Sequence, residues 1–163
     1  MRRGELARGA PPIAHALKLE LWAHWWYWGA RGNRSNCFWW PAVACDGYFN
    51  SATDKGAYNG SNPLVRPGAL LAIGAADAAA LNGTLRSEPA RRLLAALATF
   101  GGYLVDDTYW NASAICTEHG VEDDFREAWG WNFTVTANEQ APAAPGGGGA
   151  PLAPPPPPFC AAR

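Results

Sequence analysis

Three side chains in this sequence have the types and placement for acid–base chemistry: His15, Asp106 and Asp107. His15 falls in phase with Ile13 and Leu17 on the apolar side of an alternating run. Such an imidazole reads two ways. It is either a core histidine whose ring nitrogens are satisfied by backbone, or a general acid/base on a sheet face. Asp106-Asp107-Thr108 closes a second apolar run, Gly102 to Val105. Alternation puts Leu104 and Asp106 on one face, where desolvation would raise a carboxyl pKa. The other reading is equally physical, because strand-end aspartates cap turns and accept backbone hydrogen bonds. An aspartate beside His15 would make an orienting carboxylate for a working imidazole.

A second kind of chemistry comes from the aromatic residues. The chain has nine tryptophans, and six of them lie between Trp22 and Trp40. Flat indole faces suit the C–H surfaces of sugar rings. Trp39 and Trp40, next to a Gly/Asn-rich stretch, are expected as a substrate-binding platform; the alternative is that they are core or interface residues. No Gly-x-Ser-x-Gly, phosphate loop, His-Glu-x-x-His or Cys-x-x-Cys occurs. The sequence thus offers no motif for a cofactor or a metal.

Five of the nine asparagines sit in Asn-x-Ser/Thr triplets without a central proline: Asn33, Asn59, Asn82, Asn111 and Asn132. Composition alone would give roughly 0.7 such triplets. The excess points to the secretory route and to an extracellular glycoprotein, with each asparagine on the surface. Cys37, Cys45 and Cys116 are then free to form disulfides, and spacing does not choose the pairing. Cys160 opens the ending Cys-Ala-Ala-Arg, the outline of a prenylation box but with an unusual last residue. No signal peptide is visible, since Gly4 to Arg8 interrupts the basic start. The sequons and this start are reconciled if the chain is a piece of a longer protein. The formal net charge of −1 with dispersed signs excludes a basic stripe and argues against nucleic acid as a partner. No run is apolar enough for a membrane span.

The elements that must position these residues are legible in part. Ile13 to Trp22 alternates as a half-buried strand. Residues 25–36 read as a loop, Cys37 to Ala44 as an edge strand bulged at Pro41, and 46–67 as a long irregular loop. Gly68 to Ile73 is a short strand or buried turn. Glu88 to Phe100 is a helix capped by Ser87 and ended by Gly101-Gly102. Gly102 to Asp106 and Ala112 to Thr117 are strands, and Val121 to Trp129 is an acidic helix. Residues 1–139 form one domain, and the Pro/Gly-rich residues 140–163 a disordered tail or linker. The fold class is β-rich, a β-sandwich or jelly roll, or α+β with one packed helix, and incomplete at its N-terminal side.

Several segments carry a family likeness in order: Gly4-Glu5-Leu6, Ile13-Ala14-His15-Ala16-Leu17, Trp40-Pro41-Ala42, Gly60-Ser61-Asn62-Pro63, Gly68 to Ile73, Glu88-Pro89-Ala90-Arg91 and Phe100 to Thr108. Over residues 4–133 the chain resembles a family of largely uncharacterised secreted bacterial and algal proteins. Its members tend to occur beside carbohydrate-associated modules. The resemblance implies an extracellular location, a single domain, and further strands before Gly4. In the family the Gly102 position bears a side chain, and the stretch Gly74 to Ala80 looks like a lineage-specific filler. The expected function is a secreted domain that binds extracellular polysaccharide; whether it also acts on it is left open, and if it does, His15 with Asp106 or Asp107 are the residues for it. The alternatives are a non-enzymatic wall or matrix module, or a gene fragment.

Overall fold

A computed structural model of the chain describes residues 1–29, 32–133 and 161–162. It is an α+β fold around one mixed sheet. Four longer strands, β1 (Leu17–Leu21), β2 (Leu70–Ala72), β3 (Gly102–Asp107) and β4 (Ser113–Ile115), lie in the order β4-β1-β3-β2. A two-residue strand, β5 (Ala161–Ala162), pairs antiparallel with β2. The helices are α1 (Ala23–Trp26), α2 (Ala75–Asn82), α3 (Glu88–Thr99) and α4 (Val121–Trp129). Among the described residues there is one sheet and no second sheet facing it, so the architecture is not that of a sandwich.

The two central strands, β1 and β3, are parallel. The sequence Leu-Lys-Leu-Glu-Leu makes β1 one-sided: Leu17 is fully buried, while Lys18 is exposed. Leu17 pairs with Gly102 and Leu19 with Leu104, so the same face of β3 joins the core. Gly102 is required here, because a Cβ at that position would stand 2.6 Å from two carbons of Leu19. A bulge then skips Val105, and the register resumes with Glu20 beside Asp106 and Leu21 beside Asp107. That shift puts Asp107 rather than Asp106 in phase with the core leucines.

Helix α3 forms as its sequence directs. The Ser87 side chain accepts from the Ala90 N–H at 3.3 Å, Pro89 sits in the first turn, and Gly101 at φ 74° ends the helix. Leu94 and Ala96 are buried. Helix α4 runs between Gly120 and Gly130, both with positive φ, and carries Glu122, Asp123 and Asp124 in its first turn. These carboxylates face the positive end of the helix dipole. Val121 and Phe125 are its buried residues.

Two expected strands are corrected. The strand at residues 13–22 begins only at Leu17, since Ile13 to Ala16 lead in as irregular chain. Cys37 to Ala44 is no strand: a Cys37–Cys45 disulfide closes it into a loop. The stretch Gly74 to Ala80, to which no element was assigned, leads into and forms most of helix α2, which buries none of its residues. The tail at 140–163 lies outside the described residues apart from Ala161–Ala162, and Cys160 lies outside them too.

The core divides into two clusters. One gathers Tyr27, Phe49, Tyr58, Val65, Leu71 and Leu104 under the long loop. The other joins Leu6, Ile13, Leu17, Ala96, Val121 and Phe125 beneath α3 and α4. Leu19 packs against both.

Candidate functional site

His15 stands at the amino end of β1. Its Nε2 lies 2.7 Å from Glu5 Oε1 and its Nδ1 2.8 Å from the Ala16 carbonyl. Both nitrogens are thus engaged by local acceptors. Burial pushes the Glu5 carboxyl up, but the Arg2 N–H and His15 outweigh it, and its pKa falls below the ordinary value.

Asp106 and Asp107 stand at the opposite end. Leu17 pairs with Gly102 and Leu21 with Asp107 in the parallel register. The four steps from Leu17 to Leu21 span about 13 Å, and His15 lies two residues beyond the far end. No hydrogen bond, even through one water, bridges that distance. The structure therefore does not bring His15 and the aspartates together, and the expected acid–base pair does not form.

The carboxyl ends of β1 and β3 instead assemble a cluster of tyrosines and carboxylates. Asp107 Oδ1 accepts from the N–H of Ala23, at the start of α1, at 2.8 Å and from the N–H of Tyr109 at 2.9 Å. Its Oδ2 accepts from the Tyr48 hydroxyl at 3.1 Å. Asp106 is exposed, and its backbone carbonyl accepts from the buried Tyr27 hydroxyl at 2.6 Å. Asp46 accepts from the Tyr58 hydroxyl at 2.5 Å. Burial, and after it the charges of Asp106 and Asp107, hold the Asp46 carboxyl above the usual carboxylate range despite that hydrogen bond. The same burial pushes the Tyr48 and Tyr58 hydroxyls up, so both stay donors.

Tyr109 is the one described non-glycine residue with positive φ, at 60°. Left-handed backbone at a bulky residue stores strain that the surroundings must hold. Asp107 supplies that hold by fixing the Tyr109 N–H. The turn leaves Tyr109 48% and Trp110 66% exposed. Tyr109 meets Tyr48 edge to face at 5.7 Å.

Trp39 and Trp40 lie in the disulfide-closed loop. Trp40 is 85% exposed. Trp39 packs one face on Arg66, whose guanidinium carbon lies 4.1 Å from the Trp39 ring and 4.4 Å from that of Trp28. Arg66 is buried and donates to the carbonyls of Asn36 and Pro63. Cys116 is unpaired, with its Sγ 3.1 Å from Glu20 Oε1, and burial pushes its thiol up to about 11. All five sequon asparagines are exposed.

Of the residues named from sequence, Asp106 and Asp107 lie in this cluster, whereas Trp39 and Trp40 lie in the disulfide-closed loop; Asp46, Tyr48, Tyr58, Tyr109 and Trp110 were not named. The available signal was the density of tyrosine and aspartate in 46–58, inside a loop too long to be mere connection. Among the described residues no group of three or more His, Cys, Asp or Glu side chains is arranged to hold a metal ion, and no helix is long and apolar enough to cross a membrane. No protein-family model, curated protein or solved structure matches this chain.

Proposed function

We propose that this chain is an extracellular glycan-binding domain whose ligand rests on the rim at the carboxyl ends of β1 and β3. The observation that carries the reading is the turn after β3. There the Asp107 carboxylate holds Tyr109 in left-handed backbone and leaves Tyr109 and Trp110 facing solvent beside the exposed Asp106. Aromatic faces take the C–H side of a pyranose, and carboxylate oxygens accept from its hydroxyls. The position also follows the general preference for ligands at the carboxyl ends of parallel strands. Asp46, Asp106 and Asp107 disfavour uronate-rich polymers, so the glycan is neutral or basic. Five exposed sequon asparagines and the Cys37–Cys45 disulfide support secretion.

The role is binding rather than catalysis by a His–Asp pair, because that pair is divided between the two ends of β1. A glycan array of neutral, basic and acidic wall polysaccharides tests it. Retention of neutral or basic glycans is expected, with Trp110→Ala weakening it about tenfold, the scale of one lost stacking contact. No retention of any glycan, or retention unchanged in Trp110→Ala, would refute the assignment.

A further inference from the structure

A cleft of about 1150 Å³ opens on the core face of the sheet. Its floor is Leu19, Leu21 and Leu71, and its walls include Leu93 and Leu97 of α3 and Phe125 of α4. It therefore lies between the two core clusters that Leu19 joins. Protein interiors leave few voids larger than a water molecule, whereas small-molecule sites have about this volume and this apolar character. The polar residues of the lining are neutral, Ser61 and Asn62 among them, except for Glu122. Among the described residues, no Lys, Arg or His belongs to it.

The geometry points to a second binding site, adjoining the glycan rim at Leu21 and Asn111, that takes a neutral lipid with a hydroxyl head. The chain or ring system fills the space between α3, α4 and the sheet. The hydroxyl donates to, or accepts from, the neutral polar groups of the lining. Charge selects the class: among the described residues of the lining an anionic head would find no cation to pair with and one carboxylate, Glu122, to repel it.

Two probes with the same polyene chain separate head charge from chain length: parinaryl alcohol and cis-parinaric acid. Trp25, Trp26 and Trp131 line the cleft, so energy transfer from tryptophan to the polyene reports occupancy. With the full chain at pH 8, the alcohol is expected to saturate at one per chain and to bind about tenfold more tightly than the acid. Ala90→Trp, which fills the cleft from α3, should weaken the alcohol about tenfold or more. Glu122→Lys, an exposed substitution on α4, should bring the acid to within about threefold of the alcohol and keeps the test open if Ala90→Trp fails to fold. Absence of transfer, equal affinity for the two heads, or an unchanged ratio in Glu122→Lys would overturn the proposal. So would binding that emerges only after residues 140–163 are removed, which would assign the cleft to the chain's own tail. A dimer in sedimentation that neither probe displaces would assign it to a second copy.

Discussion

Three donors from three segments converge on the Asp107 carboxylate: the start of α1, the turn after β3 and Tyr48 of the long loop. Asp107→Ala would leave the Ala23 and Tyr109 N–H groups and the Tyr48 hydroxyl without that acceptor. A cost of about 1–3 kcal/mol in urea unfolding is expected, together with loss of the Tyr109 turn. Asp107→Asn keeps one acceptor oxygen and should cost less. A loss in Asp107→Ala no larger than in Asp107→Asn would show that the carboxylate does not organise the turn. At the other end of β1, folding lowers the Glu5 pKa from its ordinary 4.5. The unfolded chain therefore takes up a proton first as pH falls. The Glu5 contribution is present above about pH 4.5 and is lost as pH drops through the lower folded value. Glu5→Gln should flatten the acid limb of the stability–pH curve below about pH 4.5, measured by urea midpoints; an unchanged slope would show that the His15–Glu5 pair does not contribute to stability. Asp107 was legible as a turn-capping aspartate. Its place on the core face was not, because a bulge at Val105 leaves no mark on the alternation of a six-residue strand.

At the scale of elements, legibility followed the strength of local signals. Helices α3 and α4 agree with the sequence reading within a residue, because each has apolar residues at helical spacing and terminal glycines. Ser87→Ala removes the α3 cap and should cost about 1 kcal/mol in thermal or urea unfolding. A change near zero would mean that packing alone fixes where α3 begins. Helix α2 was missed since its Ala-rich run shows no apolar stripe. The Cys37–Ala44 segment was misread as a strand for a related reason. Its aromatic and β-branched residues suit a strand, but a disulfide across eight positions overrides that propensity. Cys37→Ser with Cys45→Ser should destabilise the fold by about 2–3 kcal/mol on loop-closure grounds. It should also quench the sharpness of the Trp39 and Trp40 resonances while leaving those of α3 and α4 in place. Uniform broadening would show instead that the loop is integral to the whole core.

The whole molecule has two ends of different character and a surface dotted with sequons. The amino end of β1 holds the His15–Glu5 clamp, and the carboxyl end holds the tyrosine–carboxylate rim. The sequon asparagines are distributed over separate elements: Asn33 before a 3-10 turn, Asn59 in the long loop, Asn82 ending α2, Asn111 between β3 and β4, and Asn132 after α4. Oligosaccharide attachment needs an accessible asparagine, and a buried one would exclude both the transferase and the glycan. All five are exposed, so the fold poses no steric objection to occupancy. Their number was readable from the sequence; their common exposure depends on three-dimensional packing. Expressed with a secretory leader in a eukaryotic cell, the chain should carry glycans at up to five sites. Enzymatic release should then collapse the intact mass to that of the polypeptide, with one Asn→Asp conversion per occupied site. Asn111 bears most directly on the rim, since it follows Trp110 immediately. Asn111→Gln should therefore raise glycan affinity if its own oligosaccharide crowds the indole, and should not lower it. A chain that emerges from the secretory route with no mass lost on glycan release would withdraw the secretory assignment. It would leave the rim to be judged on its array binding alone.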